Sequence, residues 1–495
     1  MGLVFMKKGS VLLKNIIIIG CGVLTFLTVL LYAYTSFYAR PTGDDLGFSY
    51  RAHGCWEETH SVIKVLDATM EEIGYQRDNW ASDYTMVFFV SLMPEVFKPW
   101  TFWIACWFIL FSLVISIILF SREILFNRFN LPKWLTYFFG CAGLLVILQE
   151  MPSTNSGMYW YTGAVHYPLA FSFELLFLTC ASWYLRKGRK CTIVLMSLLA
   201  VAIGGDGFFA SVFLIVLYFF ILVYGVVKKE KRIFHLGIPM VVLMTCFIYA
   251  LTAEGPYKSR ASEQITISIS LVAETIIKSV IRSVEYPIKW IGNSFLIIPV
   301  LLMFIFILLS EIDWGKIKFE FPKPVLMILV LFLSYASVFA PWVYSEMFDE
   351  LGASMGPENY CFYTFVLTLF ISLIYVWGYF KKRCLKVRSN RLRSVVGMGI
   401  ILLCMLFAYQ NRHNIKMTHG YVGMEYILSG SAKDYKEQCE ENMRILLDPT
   451  IQDVELIQTN AFQGLLCNMV ATENPNDFTS MVYSRFYGKE RVIMK

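Results

Sequence analysis

The feature that most limits what this chain can become is a run of about 20 apolar residues that keeps returning between residues 1 and 410. A helix of roughly that length crosses the hydrocarbon core of a bilayer, and only a segment that satisfies its own backbone hydrogen bonds is stable there. Eleven runs are candidates: 15–37, 100–121, 134–149, 163–185, 191–204, 206–227, 234–252, 292–310, 324–342, 359–380 and 394–410. The third and fifth are shorter than the rest. Composition agrees, with a mean hydropathy of +0.56 and 16% charged residues, where a soluble protein carries about a quarter. The expected fold class is an all-α polytopic membrane protein with about eleven transmembrane helices, long outer loops and a small extracytoplasmic α+β tail.

Lysine and arginine set the expected orientation, because cytoplasmic loops are enriched in them. Arg122, Arg128 and Lys133 follow the second run; Arg186, Lys187, Arg189 and Lys190 follow the fourth. Lys228, Lys229, Lys231 and Arg232 follow the sixth, Lys316, Lys318 and Lys323 the eighth, and a cluster from Lys381 to Arg393 the tenth. Segments 150–162 and 342–358 contain neither residue. This alternation places the N-terminus inside and the C-terminus outside. One segment breaks it: 253–291 carries Lys258, Arg260, Lys278, Arg282 and Lys289 on the outer side. The net charge of +6 is accounted for by loops meeting anionic headgroups and calls for no nucleic acid. The first run is long and lacks a small-residue cleavage site, so it reads as a retained anchor.

The expected division is a membrane region, 1–410, holding a first outer loop at 38–99, and an appendage at 411–495. In the first loop Val62, Val65, Leu66, Met70 and Ile73 recur at helical spacing, and 84–97 is apolar enough to lie on a membrane surface. In the appendage 432–447 suits a helix and 454–458 a strand. The twelve cysteines form no CxxC pair or zinc spacing. Cys439 and Cys467 are read either as a bridge or as two buried thiols.

Candidate chemistry gathers at the outer ends of the runs. Arg40-Pro41-Thr42-Gly43-Asp44-Asp45 puts two carboxylates just past the first run, where a base for an incoming hydroxyl would stand; the bland reading is acidic residues opening a helix. Tyr159-Trp160-Tyr161-Thr162-Gly163-Ala164-Val165-His166-Tyr167 offers rings that stack on sugar faces and a histidine that binds phosphate or moves protons. Interfacial aromatic belts give the same pattern. Asp206, flanked by Gly205 and Gly207, lies at the outer junction of the fifth and sixth runs, and Glu174 lies within the fourth. Each is a functional carboxylate or a structural one. Lys258 and Arg260 follow a Gly-Pro turn, as phosphate ligands or as snorkelling cations. Glu346, Asp349, Glu350 and Glu358 make the last outer loop acidic, leaving a divalent metal open.

These motifs, in this order, resemble the GT-C class of membrane glycosyltransferases, and most closely a bacterial family of such multi-span proteins. The corresponding positions are Asp44-Asp45, 160–167, 204–207 and 255–260. This chain has Glu-Gly-Pro where that family has Pro-Gly, and Asp206 where glutamate is usual. The resemblance implies transfer of a sugar from a polyprenyl-phosphate donor to an envelope glycan or other hydroxyl acceptor at the outer face of the bilayer. It implies Asp44 or Asp45 as base, Arg260, Lys258 and His166 at the donor phosphate, and Tyr159, Trp160, Tyr161, Tyr167 and Asp206 toward sugar or acceptor. Neighbouring residues point about 100° apart on a helix, so Asp44 is read as the base and Asp45 as the organiser of the turn, with Thr42 in a capping arrangement. The competing classes are a lipid-linked glycan flippase and a non-catalytic scaffold of envelope assembly.

Overall fold

The computed structural model describes residues 2–259, 268–309, 312–346, 356–383, 390–460, 465–468 and 470–495. The chain opens on α1 (Gly2–Thr35), which with the tight turn Ser36–Tyr38 makes up the apolar stretch Val11–Tyr38. Three helices follow outside the apolar spans: α2 (Asp44–Thr59), α3 (Val62–Asn79) and α4 (Tyr84–Ser91). Next come α5 (Phe102–Ser121) and α6 (Lys133–Glu150). A wide-turn segment, Asn155–Tyr159, leads into α7 (Tyr161–Ala164), a second such turn, Val165–Leu169, and α8 (Ala170–Lys187). Pro168 lies in that second turn, where its missing N–H would otherwise leave a carbonyl unpaired.

The chain continues through α9 (Cys191–Gly204), α10 (Phe208–Val227), α11 (Ile233–Leu251), the single turn α12 (Gly255–Ser259), α13 (Ile269–Asn293) and α14 (Ile297–Leu309). Then α15 (Pro324–Ser337) runs into α16 (Phe339–Glu346), followed by α17 (Gly356–Arg383) and α18 (Asn390–Gln410).

Among the described residues seven helices are long and apolar enough to cross a membrane, or eight if α13 and α14, bent by 95°, make one broken span. The chain is a multi-pass helical membrane protein. The difference from eleven lies in four runs that apolarity alone had counted. The run 191–204 became α9, about 21 Å long at 1.5 Å per residue, and the described apolar part of α18 is Met398–Gln410. α6 has the length but carries Lys133, Gln149 and Glu150 at its ends. The run 292–310 contains the bend before α14. The spans Tyr161–Lys187 and Gly356–Arg383 are the most enclosed, at 78% and 72% buried, while Val11–Tyr38 at 22% lies on the periphery.

α2 and α3 form a hairpin joined by the Arg51–Glu72 ion pair at 2.6 Å, with Gln76 Nε2 donating to the same carboxylate. The buried face of α3 is Val65, Thr69, Glu72 and Gln76, whereas Val62, Leu66 and Met70 face outward. The segment expected on a membrane surface at 84–97 instead enters the protein: Met86, Val87 and Val90 of α4 are enclosed, and Ser91 Oγ donates to the Phe48 carbonyl of α2 at 2.7 Å.

The tail contains α19 (His419–Leu428), α20 (Ser431–Leu447), α21 (Phe478–Tyr487) and two parallel strands, β1 (Asp453–Leu456) and β2 (Arg491–Met494), with Asp453 opposite Arg491. Parallel strands need a crossover, and α21 lies in it. The tail is docked on the bundle. The His419 Nε2–H donates to the Met151 carbonyl at 2.6 Å, leaving Nδ1 to accept from the Thr154 hydroxyl. Burial holds that imidazole down at about 4. Gly420 N–H donates to Gln149 Oε1 at 2.9 Å. On α2, Gly47 leaves room for Phe478 and Val482 of α21, and the His53 ring stacks on Phe486 with centroids 4.1 Å apart. Cys439 and Cys467 are buried and are not bridged to each other.

Candidate functional site

The two adjacent aspartates separate at once. They start α2, where helix N–H groups favour negative charge. Gly43, immediately before them, has φ +47° and ψ −113°, a conformation that side chains strain against. The turn it makes sends Asp45 inward and leaves Asp44 partly exposed. Asp45 Oδ1 accepts from both the N–H and the hydroxyl of Thr162, each at 2.8 Å, and Oδ2 accepts from the Thr42 N–H at 3.4 Å. The carboxylate therefore ties α2 to α7. Burial raises Asp45 to about 7, the three donors pull it back, and Asp44 pushes it up again. The Thr42 hydroxyl does not cap α2; it donates to Cys467 Sγ of the tail at 3.2 Å.

Asp44 faces a different group. Burial raises its carboxyl and the nearby His166 lowers it. His166 in turn stands between two further carboxylates. Its Nε2 is 3.8 Å from Asp83 Oδ2 and its Nδ1 3.6 Å from Asp206 Oδ1. Asp206 has no exposed side-chain surface, and neither of its oxygens has a hydrogen-bond partner. Burial, reinforced by Asp83, pushes it well above the usual carboxylate range. Buried polar groups are paired in the great majority of cases, so Asp206 is an exception that asks for a role.

Local sequence explains how these groups meet. Gly207, at φ +84° and ψ 173°, occupies a region open essentially to glycine alone, and its bare Cα leaves His166 Nδ1 beside the chain. Asp83 arrives because the start of α4 is stitched to the end of α9. Thr85 N–H donates to the Gly205 carbonyl at 2.8 Å, Thr85 Oγ1 to the Ala202 carbonyl at 2.8 Å, and Tyr84 Oη to the Val201 carbonyl at 2.7 Å. A side chain at Gly205 would collide with the Tyr84 ring.

The other expected residues fall in several places. Tyr159, Tyr161 and Tyr167 are buried. Tyr159 stacks on Tyr32, shares a hydrogen bond with the Thr35 hydroxyl and donates to the Tyr32 carbonyl. The Tyr167 ring presses on Gly356. Of that aromatic run Trp160 keeps a partly exposed face, seated over Gly163 with its Nε1 unpaired. Glu174 is enclosed and accepts from the Tyr360 hydroxyl. Lys258 is exposed and bonds to Glu254 at 2.8 Å and the Asp78 carbonyl at 3.0 Å. None of its described contacts reaches His166 or the aspartate pair. Arg260, Asp349 and Glu350 lie outside the described residues. Glu358 accepts from Trp290 Nε1 at 2.8 Å and pairs with Lys289 at 3.4 Å.

Among the described residues no group of three His, Cys, Asp or Glu side chains has the geometry to hold a metal ion. Sequence reasoning missed Asp83, because an aspartate directly before an apolar helix reads as a cap. In the structure it makes no such capping bond. Glu95 was missed too: it accepts from the N–H groups of Trp100, Thr101 and Phe102 at 2.8–2.9 Å and so caps α5. Compared with known proteins, the chain matches no family model and no curated protein.

Proposed function

We propose that this protein is a GT-C-type glycosyltransferase that moves a sugar from a polyprenyl-phosphate donor to a hydroxyl on a cell-envelope acceptor at the outer face of a bacterial plasma membrane. The observation that carries the reading is Asp44. It is a partly exposed carboxylate at the end of the first span, held beside His166 while its neighbour Asp45 is locked to Thr162. In the reaction the acceptor oxygen bonds to the anomeric carbon as the bond from that carbon to the donor phosphate oxygen breaks. The electron pair leaves with the phosphate, and Asp44 takes the hydroxyl proton. Three carboxylates around His166 make it a poor seat for a phosphate. His166 is better placed to orient Asp44 and set its charge. Trp160 offers the sugar a ring face, and Lys258 and Arg260 remain the cations for the leaving phosphate. The finer topology belongs to the same proposal: eleven spans, with α6, α9, α14 and α18 as the shorter ones, N-terminus inside and tail outside.

The buried, unpartnered Asp206 also suits a carrier that moves a proton with its cargo. One experiment separates the two readings: mass spectrometry of envelope glycans from cells carrying the wild-type protein, a deletion or Asp44→Asn at matched membrane abundance. Loss of one sugar unit in both the deletion and Asp44→Asn supports transfer. Full-length glycans that accumulate on the inner leaflet point to a carrier, and unchanged glycans in a deletion that still has a phenotype overturn both.

A further inference from the structure

Helix α13 (Ile269–Asn293) presents three distinct faces. Ser279, Ser283 and Trp290 are buried. The helix packs on α15 and α16, Trp290 lies against Phe362 and Phe365 of α17, and Arg282 stacks on the Trp342 ring at 5.2 Å. Turning round the helix, Ile276, Val280, Val284 and Ile288 follow at four-residue spacing, all exposed, Ile288 by 67%. They cover about 120° of the circumference at 100° per residue. Beyond them Glu274, Lys278, Glu285 and Lys289, exposed as well, fall within about 60°. Protein, apolar and charged sides are thus in sequence, with the apolar and charged sides facing apart.

The end of α13 is built to turn. The axis bends by 95° into α14. Ser294 Oγ accepts from the N–H groups of Leu296 and Ile297 at 3.0 and 2.7 Å, and Glu150 Oε1 from those of Phe295 and Leu296 at 3.1 and 2.8 Å. The backbone donors freed by the bend are therefore satisfied, and the bend is a fixed part of the fold. α14 is apolar along its whole length and points into the bundle beside α6 and α18.

We infer that α13 lies in the plane of the membrane boundary as a surface helix, with the stripe of Ile276, Val280, Val284 and Ile288 sunk among lipid chains and the charged stripe in water, so that its partner is the lipid surface itself. A helix at right angles to an adjoining apolar one, with charge and aliphatic surface on separate sides, fits that boundary. Crossing the bilayer instead would carry five charged side chains, Arg282 among them, through hydrocarbon. The same placement accounts for the basic segment that interrupts the alternation of loops: Lys278, Arg282 and Lys289 ride on a helix that does not cross.

The test is depth measurement along the helix in the full chain. Cysteines replace Ile276, Val280, Val284 and Ile288 singly, and in separate variants Lys278 and Lys289. Each carries a nitroxide in phosphatidylcholine–phosphatidylglycerol vesicles, and each spectrum is read against the labelled parent protein. Collision rates with oxygen and with a water-soluble nickel chelate report depth. The inference expects the four apolar positions at one shared depth, roughly 5–10 Å below the headgroups, and the two lysine positions open to the chelate. A depth that changes steadily over the roughly 18 Å between positions 276 and 288 means a tilted span and overturns it. Labels open to the chelate at all four apolar positions, or shielded from both reagents, overturn it as well. Six independent positions keep the test decisive if one variant fails to fold. The outcome does not depend on whether the protein transfers sugars.

Discussion

Asp45, at the start of α2, and Asp206, between α9 and α10, are both enclosed, and burial raises the pKa of both. Their surroundings differ. Asp45 meets three donors from two segments of chain, whereas Asp206 meets none and looks onto His166. The first arrangement converts the cost of burial into a joint between helices. The second leaves that cost standing, which a fold tolerates where a group is kept for use rather than for cohesion. Asp44 lies between the two environments, next to one in sequence and within electrostatic reach of the other through His166.

The largest expected effect would sharpen this contrast at Asp44. Asp44→Asn should lower sugar transfer by about 10²–10⁴-fold at unchanged membrane abundance, read from envelope glycans; activity within twofold of wild type breaks the assignment. Next, Asp45→Ala leaves the Thr162 and Thr42 N–H groups buried and unpaired. It should cost about 3 kcal/mol, seen as a lower unfolding midpoint of the purified protein in detergent. Asp206→Asn should do the reverse of Asp45→Ala, holding stability within about 1 kcal/mol while abolishing function. A loss of stability equal to that of Asp45→Ala would erase the distinction.

The smallest effect concerns pH. Asp45 is raised to about 7 when folded, so between about pH 4 and 7 the folded chain holds a proton that the unfolded chain has released. Its contribution is present at the acid end and lost as pH rises through that window. His419 has the opposite sign. Held down at about 4 against about 6.5 unfolded, it contributes stability above pH 6.5 that is lost as pH falls toward 4. Unfolding midpoints across pH 4–7 should therefore rise more steeply with pH in Asp45→Asn than in wild type, and less steeply in His419→Gln. Equal slopes in all three would remove both groups as contributors.

The legible part of the site is the part written in short stretches. Asp44, Asp45, His166 and Asp206 all stood out because an ionisable residue beside an apolar run is conspicuous. That the two aspartates point different ways also followed from helix geometry, and the structure leaves Asp44 partly exposed and buries Asp45. Asp83 was not legible, since its meeting with His166 depends on the hydrogen bonds between α4 and α9, segments more than a hundred residues apart. The aromatic run misled for a related reason. Tyr159, Tyr161 and Tyr167 have the composition of an interfacial platform, but Tyr32 and Thr35 against the first, Phe102 against the second and Gly356 against the third come from other helices, and all three rings are buried. In the tail, 432–447 and 454–458 were close to the observed α20 and β1 because amphipathic period and β-branched content are local. The strand β2, at the far side of a crossover, was not seen.

By itself the sequence determined that this is a helical, multi-pass membrane protein, because about 20 consecutive apolar residues have no other stable use in water or lipid. It also determined where charge collects, since ionisable groups are driven to the ends of such runs. Only the tertiary structure decided which charges meet, which aspartate is satisfied and which is left open, and where the chain turns through 95° rather than crossing. Those outcomes depend on hydrogen bonds and packing between segments distant along the chain. Residue type sets what such contacts are worth, and the fold alone sets whether they form.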